Sequence, residues 1–412
     1  NKNLWGVSIC LNNQLKYVDE NNQVQTSLAR DSKDLYAHSM AQATRSYYEN
    51  HTNKERGFIL TRSNFAGTGK FVQHWLGDND ANWSQLRQSI VSSYEYSMFG
   101  FTQVGPDICG FFDQPDPELC MRWQQVGAFY TFSRNHNELS APAQEPTQFD
   151  DQYVQVMKTA MRTRYELLPN LYTTMFFTSA NSRMGGSDLI NKLIERGERH
   201  PGSSPFRSLT FEFFYELEAL NGNSHEYQFF WGDYLMFTPI VHQGDKEVTA
   251  FMPASAYWYD YYTFKQIPSG TKYTANGEEK VPIYIRGGKT IVKQSLKEDE
   301  TTTVEQRVND ITLVVSFDAE NTSTGYLYYD DGQTVDSAFV LTRFGSFMNV
   351  ENQVYEFKME VEEKNKMGDL EFLPEVTEIV FVSPGQVDVV KLDAGLVLGS
   401  EVEMEFPYED VI

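Results

Sequence analysis

The hydrophobic pattern of this chain changes period near residue 210, and that change constrains the fold more than any other feature. Upstream, short apolar runs alternate with segments of helical spacing. Residues 57–62 (GFILTR) read as a buried strand that ends in Arg62. Residues 99–104 read as a second strand, closed by Gly105-Pro106-Asp107, and residues 126–132 form a third apolar run ending in Ser133-Arg134-Asn135-His136-Asn137. Ser84 is a plausible N-cap for a helix carrying Leu86, Ile90 and Val91 on one side. In a longer helix, Val154, Met157, Met161, Tyr165 and Leu168 keep helical spacing, with Pro169 marking a kink or stop. Strands alternating with helices predict a parallel sheet or barrel. Downstream the period falls to two. Tyr355, Phe357, Met359 and Val361 alternate with Glu356, Lys358, Glu360 and Glu362, the signature of a strand with one wet face. Residues 311–317 and 376–382 are strand-like too, so the second half reads as antiparallel sandwiches.

Charge and composition then remove whole classes of function. Among 412 residues, 57 acidic against 34 basic side chains give a formal charge of -23. A nucleic-acid partner needs basic surface to displace phosphate counterions, so that class is excluded, as is a polybasic membrane-surface protein. No apolar run is long enough for a bilayer crossing. The seven histidines are scattered, and neither Cys-x-x-Cys nor His-Glu-x-x-His occurs, so neither a metal nor a cofactor is expected. Gly67-Thr68-Gly69-Lys70 lacks the glycine spacing of a phosphate loop and reads as a turn. The three cysteines are odd in number. Cys109 and Cys120 are close enough in sequence to pair, which leaves Cys10 alone. Asn-x-Ser/Thr sequons stand at Asn50, Asn82 and Asn321. Residue 1 has neither an initiator Met nor a leader after it, and is read as a processing boundary.

The polar residues that end the upstream apolar runs are the candidate site. Arg62, Asp107 and His136 each follow such a run, and Asp78 sits in the loop after Arg62 with Trp75 beside it and Phe111 in the next loop. In a parallel barrel these ends share one mouth, where barrel enzymes hold their active sites. Two carboxylates, an Arg, a His and flanking aromatics suit a sugar, because rings stack on pyranose faces and charged groups fork onto hydroxyl pairs. Plainer readings stand beside this one: Asp78 as a turn aspartate, His136 as a core histidine, Arg62 as an ion-pair partner, Asp107 as a helix cap, Trp75 and Phe111 as core.

A resemblance sharpens the choice. Residues 58–70 (FILTRSNFAGTGK), 74–79 (HWLGDN), 105–111 (GPDICGF), 127–137 (GAFYTFSRNHN) and 164–172 (RYELLPNLY) resemble, in order and spacing, the catalytic-acid region of glycoside hydrolase family 31. Residues 258–262 (WYDYY), 285–288 (IRGG) and 328–332 (YYDDG) continue the likeness. The forms are closer to the family's acid α-glucosidase, maltase and sucrase-isomaltase branch than to its endoplasmic-reticulum glucosidase II branch. What the resemblance implies is an α/β plus all-β chain: the C-terminal part of a (β/α)8 barrel over residues 1–208, then two β-sandwich domains over 209–296 and 297–412. It implies a retaining, exo-acting α-glucosidase that releases glucose from α-1,4/α-1,6 glucans or maltose-type oligosaccharides. Asp78 matches the general acid/base, Arg62 and His136 match residues that bind sugar hydroxyls, Asp107 the pocket floor, and Trp75 and Phe111 its aromatic wall. The family's nucleophile lies in a Trp-Ile-Asp-Met-Asn-Glu segment that this sequence does not contain. An N-terminal chain carrying that nucleophile is therefore the expected partner, with Cys10 bonded to it. The expected compartment is the secretory pathway, extracellular or lysosome-like, with Cys109–Cys120 as a disulfide. The competing expectation is a catalytically silent relative with a glycan-binding or structural role.

Overall fold

The structure, a computed structural model, describes residues 12–19, 21–51, 56–183, 209–210 and 227–408. Three short strands, Leu60–Thr61, Gln73–Trp75 and Val104–Gly105, lie side by side in that order. All pair in parallel, with Thr61 opposite His74 and Trp75 opposite Gly105. Parallel bridges between Asp80 and Phe112 and between Ile108 and Asn135 carry the pairing beyond the strands. The middle strand is one that the apolar pattern does not reveal, because a three-residue Gln-His-Trp segment has no periodicity to read. Trp75 therefore ends a strand rather than lying in a loop.

Two expected strands differ in the structure. Of residues 99–104 only Val104 is in a strand; Phe99 is exposed and closes the helix Trp83–Met98. Val126 and Gly127 are the last turn of the helix Pro117–Gly127, which Asp116 caps by accepting the Leu119 N–H at 2.9 Å. A buried helix and a buried strand both present an unbroken apolar run, so period alone does not separate them. Past that helix the chain runs alongside the third strand, the Phe132 N–H donating to the Val104 carbonyl and the Ile108 N–H to that of Arg134. The helix Trp83–Met98 is capped by Asn82, not Ser84: the Asn82 side chain accepts the Gln85 N–H at 2.9 Å.

The long helix Asp151–Arg183 continues through Pro169, so the proline does not stop it. Proline removes the N–H that would bond the carbonyl four residues back. That carbonyl, Tyr165, instead accepts a hydrogen bond from the Gln306 amide of the distal domain at 2.7 Å. The missing partner is replaced across a domain junction, and the helix continues.

The β-rich half packs on this helix. A six-stranded antiparallel sheet has the order Gln266–Ile267, Trp258–Asp260, Ile283–Arg286, Leu235–Phe237, Phe229–Trp231, Leu209–Thr210. Its strands alternate as period two requires. Phe230, Met236, Trp258 and Tyr284 pack with Ala250 and Met252 of a separate two-stranded ribbon. Phe229, Trp231, Leu235, Phe237, Ile283 and Ile285 join Trp123, Phe129, Leu167 and Leu171 from the barrel helices and the segment that follows them in one core. The Trp231 indole donates to the Phe129 carbonyl at 2.8 Å, so its N–H is not left unpaired in that core. The distal sheet has eight strands, from Gln386–Val397 at one edge to Val402–Pro407 at the other. It curls so that its two ends face each other: Tyr355 stacks on Phe381 at 4.2 Å and donates its hydroxyl to Asp388 at 2.5 Å. The strand Lys289–Gln294, on the proximal side of the expected boundary, pairs with Ile311–Ser316 and belongs to this distal sheet.

Candidate active site

The parallel strands deliver their C-terminal residues to one edge. Arg62 follows the first strand, Trp75 ends the second, and Asp107 lies two residues past the third. Between Trp75 and Asp78 the chain turns at Gly77, whose φ of +88° favours glycine. A Cβ at Gly77 would also stand 2.4 Å from the Arg62 Nε. The glycine thus lets Arg62 lie across the turn, where its Nη1 is 3.6 Å from Asp78 Oδ2. Both side chains are solvent-accessible, 57% and 28% respectively, so a ligand can reach them.

Asp107 is the opposite case: it is fully buried. Its Oδ1 accepts the Trp75 indole N–H at 2.9 Å and an Arg134 guanidinium N–H at 2.5 Å. Burial pushes its pKa up, against the pull of Arg134, His136 and the Trp75 N–H. Its Oδ2 is buried with no partner among the described residues, an acceptor that sugar hydroxyls can satisfy. The Trp75 indole lies under two guanidiniums, 5.1 Å from Arg134 and 5.6 Å from Arg62. Each contact is a cation–π attraction that holds the ring in place.

The remaining loops are tied by side-chain amides. Asn79 donates to the Asp107 carbonyl at 3.0 Å, while its own Oδ1 accepts the Phe111 N–H at 3.0 Å. Buried Gln144 donates from one amide to the carbonyls of Ile108, Gly110 and His136 and to Asn135 Oδ1. The Phe111 ring sits 5.4 Å from that of His136. Cys109 and Cys120 are joined by a disulfide, which closes the segment behind Asp107 and Phe111. The six residues singled out in the sequence thus lie at one barrel edge. Arg134, Asn79 and Gln144, which hold them there, were inside or beside the quoted motifs but carried no distinguishing pattern. Cys10 lies outside the described residues. Asn82 is exposed at its helix cap, Asn50 is exposed near the end of the helix Tyr36–His51, and Asn321 sits in a turn with φ of +60°. Among the described residues no cluster of His, Cys, Asp or Glu could hold a metal, and no helix is long and apolar enough to cross a membrane.

Similarity to known proteins gives the chain its family. Residues 7–174 match the TIM-barrel domain of the glycosyl hydrolases family 31, and residues 202–291 match that family's C-terminal domain. The chain belongs to glycosyl hydrolase family 31. Rabbit (Oryctolagus cuniculus) intestinal sucrase-isomaltase is 36% identical over 311 residues, 74% of this chain and 16% of that protein. A human protein described as probable maltase-glucoamylase 2 is 38% identical over 74% of this chain and 11% of its own length. An α-glucosidase of Mucor javanicus is 34% identical, over 74% of this chain and 33% of the relative. The match thus spans a third or less of each of these relatives. Among solved structures, a Tris-bound glucosidase II α subunit superposes with a TM-score of 0.70 at 25% identity, covering 88% of this chain and 37% of that one. Asp78, partly accessible in the loop after a barrel strand, stands at the edge where barrel enzymes hold their active sites.

Proposed function

We propose that this family 31 chain supplies the general acid/base and much of the sugar pocket of a retaining, exo-acting α-glucosidase. Its substrates are α-1,4- and α-1,6-linked glucans and maltose-type oligosaccharides, from which glucose leaves at the non-reducing end. The observation that carries the reading is the pairing of accessible Asp78 with Arg62 beside Trp75, over the buried Asp107–Arg134 pair. Asp78 donates a proton to the glycosidic oxygen as the C1–O bond breaks, while a second carboxylate attacks C1 to form a glycosyl-enzyme. Asp78 then takes a proton from water as water displaces that carboxylate. Arg62, His136 and Asp107 Oδ2 bind hydroxyls of the sugar whose C1 is attacked, and Trp75 and Phe111 wall the pocket. The second carboxylate comes from a portion of the enzyme outside this sequence, and Cys10 links the two portions.

The division into a barrel part and two β-domains belongs to the same proposal, with the second junction drawn at Gly287–Gly288 because the next strand pairs distally. A secretory route is supported by the Cys109–Cys120 disulfide, since such bonds persist in oxidising compartments. Asn50, Asn82 and Asn321 are the proposed glycan attachment points. The test is Asp78→Asn in the whole enzyme. Maltose turnover is expected to fall by ~10²–10⁴, while the glycosylation step on an aryl glucoside with an acidic leaving group falls far less. Near-native maltose hydrolysis by this variant would refute the assignment.

A further inference from the structure

Away from Asp78, a cavity of about 300 Å³ lies between the long helix Asp151–Arg183 and the distal domain. Gln103, Arg164, Leu168, Met175 and Arg307 are among the residues that line it. Two of the donors that line it are under-used. Arg164 spends one nitrogen, Nη1, on the carbonyls of Ala128 at 2.7 Å and Tyr130 at 2.6 Å. Among the described residues its Nε and Nη2 have no hydrogen-bond partner and no carboxylate pairs with it. Burial lowers its pKa to about 10, so the charge is costly where it stands. Gln103 shows the same shortage independently. Its amide nitrogen reaches only the Met175 sulfur, at 3.8 Å, a weak acceptor. Arg307, by contrast, has the Asp330 carboxylate as its counter-charge.

Two under-used donors of this kind, one of them cationic, call for a ligand with negative charge and paired oxygen acceptors. We infer that this cavity binds a small carboxylate, gripped in a fork by the Nε–Nη2 edge of Arg164 and by the Gln103 amide, with its apolar body against Leu168 and Met175. A planar guanidinium edge matches a carboxylate better than a spherical halide, because two parallel N–H···O bonds form at once. The cavity spans helix and distal sheet, so an occupant would tighten the junction on which both depend.

The test uses the whole enzyme with acetate as the probe. Acetate is exchanged stepwise for chloride at constant ionic strength, and melting temperature and calorimetric heat are followed. A saturable rise in melting temperature with one acetate site per chain is expected. Met175→Trp, which fills the cavity, should abolish it, and Gln103→Leu should weaken it by ~10-fold, the worth of a charge-assisted hydrogen bond. Arg164→Gln should abolish binding if the variant folds; the other two variants decide the matter if it does not. Equal behaviour in acetate and chloride, saturation by chloride instead, or acetate binding unchanged in Met175→Trp would each overturn the inference. No readout uses turnover, so a negative result leaves the role of Asp78 standing.

Discussion

The barrel portion and the distal sheet solve the same problem, holding strands together, in opposite ways. Distal strands are long, up to twelve residues in Val354–Asn365 and Gln386–Val397, and they pair with neighbours along most of their length. The barrel strands are two or three residues long. Their order comes instead from side chains reaching between loops: Asn79, Gln144, Arg134 and a disulfide. A ladder of backbone bonds makes a stable sheet but leaves few polar groups free. Short strands with side-chain ties place unlike polar groups at one edge, the edge where barrel enzymes hold their active sites. The stable region and the reactive region are therefore distinct, and they meet at Asp330.

Breaking that meeting point should have the largest effect on stability. Asp330 is buried in the distal sheet, yet it binds Arg56 and Tyr172 from the barrel side as well as Arg307, Tyr328 and Ser337. Asp330→Ala leaves two guanidiniums without their counter-charge, and removing one partner of a buried pair costs ~3–5 kcal/mol. Denaturant melts should show that loss, with limited proteolysis cutting first around the junction. An unchanged midpoint would mean that the other contacts across the junction, Gln306 to Tyr165 among them, hold the two regions without it.

His74 sharpens the contrast within the barrel. It sits on the middle strand, buried and stacked on Tyr96 at 3.7 Å, and burial lowers its pKa to about 4. An unfolded histidine titrates near 6.5. The folded state binds fewer protons between these values, so the stabilisation is complete above pH ~6.5 and is lost as pH falls toward 4. The full excursion is worth ~3 kcal/mol. His74→Phe should flatten the pH dependence of the barrel's unfolding midpoint over this window while leaving the distal transition unmoved. A slope that persists in the variant would assign it to other groups.

The disulfide gives the smallest of these effects. Cys109 and Cys120 are separated by 11 residues, a short loop, so replacing both by serine should cost ~2–3 kcal/mol. The loss should fall on the site more than on the sheet, since Cys109 lies between Ile108 and Gly110, whose carbonyls Gln144 holds. A rise in KM for maltose together with an unchanged distal transition is the expected pattern.

How much of this was legible depends on the kind of region. The alternation of Tyr355, Phe357 and Met359 reads directly as the strand Val354–Asn365, because period two is a property of neighbours in sequence. Gln73–Trp75 is too short to show any period, and it was visible only as part of a motif. The continuation of the helix past Pro169 depends on Gln306, 141 residues away from the carbonyl it serves, and no local rule contains that information. At the site, Arg62, Asp78 and Trp75 stood out by their place after apolar runs, and the family likeness gave them roles. Arg134 did not, because its importance comes from sharing one oxygen of Asp107 with Trp75, a coincidence that exists only in the fold.

The central claim, that Asp78 is the acid/base of a retaining α-glucosidase, is tested most directly by the anomer formed in azide rescue. The whole enzyme carrying Asp78→Ala is given an aryl α-glucoside with an acidic leaving group, with and without azide. Without Asp78 the β-linked glycosyl-enzyme should accumulate, since water is no longer deprotonated, and anionic azide should attack it without help. Displacement of the enzyme carboxylate inverts C1 a second time, so the account predicts faster turnover and α-glucosyl azide as the product. A β-glucosyl azide would show that azide had replaced the nucleophile itself, and would contradict the role given to Asp78.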